Sequence, residues 1–416
     1  MEKEIQRVVL IGAILGDGTL NDTDEASINE LEELVKTAGG VVIGSVVQNI
    51  KTIDPSTFIG SGKVEEVREF IVNNDVNLAV FDCELSGSIT KNLERELGVT
   101  VIDRSRIILD IFAMRAKSRE GKCQVELAQL KYILPRLSGV GQSLSRLGGG
   151  IGTRGPGESK LETDKRHIRR KIDKLAEELK EIEKHRQNLR KSRIKESIPF
   201  IALVGYTNVG KSSLLNYLSE SNDAYVENQL FATLDPLMRK LKINNTEVIL
   251  CDTVGFIRKL PHHLIEAFKS TLEEIEYADL IIHLADASSN DCDKEMQVVN
   301  NLIDELNKNN SPVLTVFNKC DIKNPEEYLC DMNSVNISVK KEYNIDGLKN
   351  KIEEILYQSK KKIKVRIPFE KGNLIGMLYK NATVIEEETS EDGFYLTIVC
   401  DNEIYEKIKE YNYEEL

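Results

Sequence analysis

Residues 205–212 read GYTNVGKS and stand between an apolar run, FIALV, and a helical pattern, SLLNYLSE. A strand, a turn with glycine at its first and sixth positions and then a helix is the arrangement that turns backbone N–H groups inward around phosphates. Here Gly205, Tyr206, Thr207, Asn208, Val209 and Gly210 form the turn. Lys211 is expected to reach the β and γ oxygens, and Ser212, followed by Ser213 in the helix, to offer its hydroxyl to Mg²⁺. About forty residues on, a strong apolar strand closes in DTVG, comprising Asp252, Thr253, Val254 and Gly255. Its carboxylate suits the Mg²⁺ shell, and Gly255 can give its N–H to a γ-phosphate.

A third motif, NKCD (Asn318, Lys319, Cys320, Asp321), ends the strand VLTVFN. Guanine presents two adjacent donors that a carboxylate accepts together, so Asp321 selects GTP over ATP while the Lys319 stem lies along the base. Two softer elements follow from their order in the chain. FATLDP offers Phe231, Ala232, Leu234 and Asp235 around Thr233, whose hydroxyl would complete the Mg²⁺ shell and sense the γ-phosphate. ISVK offers Ser338, Val339 and Lys340 near guanine O6. Together the five describe a Ras-like GTP-binding domain in which Lys211, Thr233 and Gly255 carry the chemistry. The residue after DTVG is Phe256, which cannot orient an attacking water as glutamine does, so unaided hydrolysis should be slow. Asn208 resembles the asparagine by which a group of bacterial GTPases holds a monovalent cation such as K⁺ against the phosphates; the other reading is a residue chosen for loop conformation.

The elements that must position these residues alternate short apolar runs with helical patterns. The expected fold is α/β in four parts: an N-terminal parallel-sheet α/β domain (1–103), a basic helical hairpin (104–196), the Ras-like domain (197–360) and a small α+β C-terminal domain (361–416). The hairpin rests on heptad spacing at Leu127, Leu130, Leu134 and Leu137, matched by Ile168, Ile172, Leu175, Leu179, Ile182 and Leu189. Its tip, residues 138–157, holds eight of the 26 glycines, with Arg146 and Arg154 and no acid. A loop that long is costly to order and reads either as an interaction element or as a linker. In the first part, Ser61 between two glycines in FIGSGKVEE reads either as an anion-binding turn at a helix start or as a plain Gly-rich turn.

Net charge is −12 but uneven: −11 over residues 1–103, +12 over 104–196 and −13 over 197–416. An acidic chain with one basic island repels polyanions in general yet can present one face to a particular polyanion; a solvated helical linker is the other reading. The seven cysteines make no CxxC pair and the five histidines complete no zinc spacing, so no metal cage is expected. Nor is there a signal-like start or an 18-residue apolar run, so a cytoplasmic protein without membrane insertion is expected, with a monomer as the default.

FIGSGKVEE, GGGIGTRGPGESKLETDKR, GYTNVGKS, FATLDP and DTVGFI together resemble the HflX family of bacterial ribosome-associated GTPases, within the TRAFAC class, over nearly the whole chain. Ser159 and Lys160 stand where Thr-Gln is more usual. The resemblance implies binding of GTP and GDP, association with the large (50S) subunit and its 23S rRNA, stimulation of hydrolysis by the ribosome and, in some members, splitting of stalled or stress-idled 70S ribosomes. It makes the hairpin the arm and Arg146 and Arg154 the rRNA phosphate contacts. Two alternatives stand beside splitting. One is a GTPase of large-subunit assembly; the other is an RNA-remodelling nucleotidase acting through the N-terminal domain, against which the lack of a second full phosphate loop counts.

Overall fold

Continuous apolar runs such as RVVLIGAIL belong in strands whose two faces are both covered, and the first sheet is built that way. The computed structural model describes residues 5–15, 22–137, 156–196, 198–219, 231, 235–244, 246–259, 264, 272–323, 333–358, 361–390, 392–400 and 402–415. They fall into two compact units. The first comprises residues 1–182, 226–235 and 254–271; the second comprises 183–225, 236–253 and 272–416.

In the first unit, β1 (Arg7–Leu15), α1 (Asp22–Thr37), β2 (Val41–Ile50), α2 (Ser61–Asn73), β3 (Leu78–Phe81), α3 (Gly87–Leu97) and β4 (Thr100–Asp103) alternate. The strands make a parallel sheet in the order β2-β1-β3-β4. Val8 and Leu10 of β1 pack with Leu31 and Leu34 of α1 on one face, while Val9 and Ile11 pack with Val67 of α2 and Leu93 of α3 on the other. Helix α3 is capped at both ends: Ser86 accepts from the Ile89 amide, and Gly98, at φ 74°, ends it in the left-handed region.

Helices α4 (Arg104–Arg115) and α5 (Arg119–Arg136) follow, then the long α6 (Pro156–Glu196). The middle of the expected heptad seam forms: Leu127 of α5 is buried with Leu175 of α6, joined by Cys123, and Leu130, Ile172 and Leu179 pack against them. Ion pairs flank the seam, Arg119 to Glu178 at 2.7 Å and Lys171 to Glu126 at 2.5 Å. Arg119 is 80% exposed and its pair is worth ~0–1 kcal/mol, against ~1.5–3 kcal/mol for each large apolar side chain buried, so the seam decides the pairing. The tip loop, with Arg146 and Arg154, lies outside the described residues.

The second unit holds β5 (Phe200–Gly205), α7 (Lys211–Leu218), β6 (Leu237–Ile243), β7 (Thr246–Asp252), β8 (Leu280–Asp286), α8 (Cys292–Leu306), β9 (Val313–Asn318), β10 (Ser334–Asn336) and α9 (Ile345–Gln358). The sheet order is β10-β9-β8-β5-β7-β6, parallel except for β6, which pairs antiparallel with β7. The C-terminal piece runs β11 (Lys361–Ile367), α10 (Gly372–Asn381), β12 (Thr383–Ser390), β13 (Gly393–Cys400), α11 (Asn402–Ile408) and β14 (Asn412–Glu415). Its antiparallel order β12-β13-β11-β14 is the split βαβ arrangement, an α+β fold as expected. Among the described residues no helix is long and apolar enough to cross a membrane.

His283, in the middle of β8, is only 1% exposed, and burial pushes its imidazole down to about 4. Unfolded, it takes a proton near pH 6.5; folded, it resists until about pH 4, so stability should be lost as pH falls through that window. At pH 5 the loss from this residue should be about 2 kcal/mol relative to pH 7. Urea titrations of wild type and His283→Phe at both pH values check it. The variant should show a visibly smaller acid loss; an equal loss would put the acid sensitivity elsewhere.

Candidate functional site

Strand β5 is buried along its full length and delivers the phosphate-loop turn at its end. A Cβ on Gly205 would run into the Leu284 carbonyl of β8, so this position admits only glycine. Asn208 and Gly210 take positive φ, +61° and +101°. The first is tolerated by asparagine and the second favours glycine, so Asn208 has a conformational reason to be asparagine. Lys211, 7% exposed, donates Nζ to the carbonyls of Gly205 (3.0 Å) and Tyr206 (2.7 Å). Burial pushes its ammonium down to about 8, opposed by the Asp252 carboxylate.

Ser212 opens α7 beside Ser213 and donates its hydroxyl to Asp252 Oδ2 at 2.7 Å. Asp252 itself is fully buried at the end of β7, and Thr253 is fixed by a 2.7 Å bond from its hydroxyl to the Leu203 carbonyl. A serine hydroxyl and a carboxylate at hydrogen-bond distance are the hard oxygen donors that Mg²⁺ prefers, so the pair fits that ion.

Asn318 joins three separate loops. Its Nδ2 donates to the Val209 carbonyl at 2.7 Å, and its Oδ1 accepts the Val339 amide at 3.1 Å. A Cβ on Gly210 would come within 2.5 Å of the same Nδ2, so the bridge explains that glycine as well. Lys319, at φ +64°, pairs with Asp286 at 2.6 Å. Asp321 accepts from the Ser338 hydroxyl at 2.6 Å, and that bond holds its carboxyl below the ordinary range, with Lys340 acting in the same direction. Cys320 turns its thiol back to the Phe317 carbonyl, 3.1 Å away. The second unit therefore brings together the phosphate loop, Asp252, NKCD and ISVK.

Asp286 was not among the expected site residues. Ending β8, it accepts from the Ser288 amide (2.9 Å) and hydroxyl (2.6 Å) with one oxygen and from Lys319 with the other. The signal was available: LIIHLAD closes in an acid just as TEVILCD does.

The remaining expected residues are packed in the first unit or lie outside the described residues. Phe231 is 2% exposed and meets the Phe112 ring edge-on at 4.6 Å. Asp235 accepts the amides of Lys117 (2.9 Å) and Ser118 (2.8 Å) and the Ser118 hydroxyl (2.5 Å). Val254 and Ile257 join the core of α1, α4 and α5, with Gly255 and Phe256 buried between them. Ala232, Thr233 and Leu234 lie outside the described residues. In the FIGSGKVEE turn the Gly60 amide already bonds Gln48 at 3.0 Å and Lys63 pairs with Glu66 at 2.6 Å, an arrangement complete as a turn.

Three family models match in sequence: "GTP-binding GTPase N-terminal" at residues 25–113, "GTP-binding GTPase Middle Region" at 115–193 and "50S ribosome-binding GTPase" at 200–319. The GTPase HflX of Caldanaerobacter subterraneus subsp. tengcongensis is 47% identical over 414 residues, covering 99% of this chain and 95% of that protein. The GTPase HflX of Escherichia coli K12 is 39% identical over 379 residues, covering 89% of each. A solved structure of the SsGBP and GDP complex is 26% identical, with TM-score 0.49, and covers 85% of this chain and 99% of that one. With a phosphate loop and guanine-type motifs locked together by Asn318 and this identity across nearly the full length, the chain belongs to the HflX family of GTP-binding and GTP-hydrolysing proteins.

Proposed function

We propose that this GTPase binds the large ribosomal subunit through its basic hairpin and splits stalled or idle 70S ribosomes into subunits. The observation that carries the reading is the hairpin: a chain of net charge −12 gathers +12 in residues 104–196, on a helix pair whose apolar seam leaves Arg166, Arg169, Arg170, Lys174 and Lys180 exposed along α6. Such a rod offers a basic face to rRNA phosphates, and Arg146 and Arg154 at its tip supply two further contacts. The match to a model described as a 50S ribosome-binding GTPase supports the same partner.

At the nucleotide, Lys211 neutralises charge on the β and γ oxygens, and Gly255 and Thr233 meet the γ-phosphate. Ser212, Thr233 and Asp252 hold Mg²⁺, which when bound supplies charge stabilisation between the phosphates. Asp321 reads guanine while Asp286 holds Lys319 along the base. With Phe256 buried and no glutamine beside Gly255, basal turnover is slow and the ribosome supplies the activation. A rate higher in K⁺ than in Na⁺ at matched ionic strength would give Asn208 its cation-binding role.

Two measurements test this reading. Asp286→Ala should weaken GDP binding about tenfold, or about 1.4 kcal/mol, by calorimetric titration, because Lys319 loses the partner that fixes it; unchanged affinity removes Asp286 from the site. Incubating the protein with 70S ribosomes and GTP should raise the free-subunit fraction in sucrose-gradient sedimentation. Arg146→Glu with Arg154→Glu should abolish that rise and flatten the salt dependence of binding by roughly two phosphate contacts. Binding to 50S without separation of 70S would instead support a role in subunit assembly.

A further inference from the structure

An open parallel sheet takes its ligand at the carboxyl ends of the strands where neighbouring connections leave to opposite faces. In the first unit that point lies between β1 and β3, since β1 leads to α1 on one face and β3 to α3 on the other. The crevice is lined by Asp82, just past β3, by Ser27 and Glu30 of α1, and by Arg104 at the start of α4. Asp82, Ser27 and Arg104 are at most 5% exposed.

The segment that follows DTVG is seated in it. The Arg258 peptide is gripped on both sides: its N–H donates to Glu30 Oε1 at 3.2 Å, and its carbonyl accepts from Arg104 Nη2 at 3.1 Å. Lys259 reaches Asp82 Oδ2 at 2.6 Å from a left-handed backbone, φ +51°, which is uncommon for a residue with a long side chain. Arg104 also donates to Asp82 at 2.7 Å and Glu30 at 2.9 Å, and the Ser27 hydroxyl donates to Asp82 at 2.6 Å. Two carboxylates against one guanidinium leave these three side chains with a net negative charge. A buried charge of that kind is costly unless a cation meets it, and Lys259 does so. Below the gripped peptide, Val254, Ile257 and Leu264 sit in the hydrophobic core of the same unit.

We infer that the ligand crevice of the N-terminal sheet is a docking site for the loop after DTVG, and that Arg104, Asp82, Glu30 and Lys259 are positioning residues for GTP hydrolysis. Arg258 is three residues from Gly255, so a rigid hold on its peptide, together with the buried Val254 and Ile257, sets where the Gly255 amide stands. A misplacement of about 1 Å at a reacting centre can cost about 100-fold in rate. The inference rests on the proposed contact of Gly255 with the γ-phosphate.

The test is single-turnover GTP hydrolysis by the full chain without ribosomes, beside GDP affinity measured by titration. Lys259→Gln, at a half-exposed side chain that should not affect folding, is expected to lower the rate about tenfold with GDP affinity unchanged, and Lys259→Arg to restore it. Asp82→Asn combined with Lys259→Gln should be no worse than either alone, because the two act through one contact. Wild-type or faster hydrolysis in Lys259→Gln, or additive losses in the double variant, would overturn the inference. Gly255→Ala is run in parallel. If it abolishes hydrolysis while Lys259→Gln does not, the crevice fails and the γ-phosphate reading stands; if Gly255→Ala hydrolyses normally, both fail.

Discussion

One asparagine side chain holds the nucleotide site in shape. The carboxamide of Asn318 donates to the Val209 carbonyl and accepts from the Val339 amide, and these two bonds tie the phosphate loop, NKCD and ISVK together. Both partners are buried backbone groups, each of which would cost about 1–3 kcal/mol if left without a hydrogen bond. The neighbouring features follow from this bridge. Gly210 must be glycine because Asn318 occupies the space of a Cβ, and Lys319 and Asp321 leave the end of β9 already aimed, one fixed by Asp286 and the other by Ser338.

The phosphate end is built with the opposite economy. Lys211 sits buried on the carbonyls of Gly205 and Tyr206, so its positive charge is carried at a desolvation cost that phosphate oxygens are suited to relieve. Ser212 and Asp252 hold each other through one hydrogen bond in the place where a hard cation would hold both. The groups proposed to read the base are therefore already held in place, whereas those proposed to meet the phosphates are satisfied by internal contacts that a nucleotide would exchange. The segments expected to meet the γ-phosphate are governed by different packing: Asp235 by the α5 N-terminus, and the chain after Gly255 by the crevice of the first sheet.

Much of this was legible in the sequence because it is local. GYTNVGKS, DTVG and NKCD carry their chemistry at fixed spacing, and the heptad residues Leu127, Leu175 and Leu179 announce a seam that the helices then form. Strand β6 is hard to read from sequence because LMRKLKI places three basic residues along an edge, where Leu241 and Ile243 are the buried positions. Strand β14, NYEE, was hidden by its two glutamates, since pairing with β11 is what makes it a strand. Asp286 carries a local signal, the acid that closes LIIHLAD, but its role depends on Lys319, 33 residues away; Arg104 carries none, and acts on the Arg258 peptide, 154 residues away. Long-range polar contacts of this kind are set by topology, which spacing does not encode.

The account stands on the bridge at Asn318, and calorimetric titration of GDP into Asn318→Ala measures it most directly. Removing the carboxamide strands the Val209 carbonyl and the Val339 amide together, so affinity should fall about 100-fold, or about 2.7 kcal/mol, while the circular dichroism spectrum stays that of wild type. Wild-type GDP affinity in a folded Asn318→Ala protein would contradict the claim that this one side chain makes three loops into a guanine-nucleotide site.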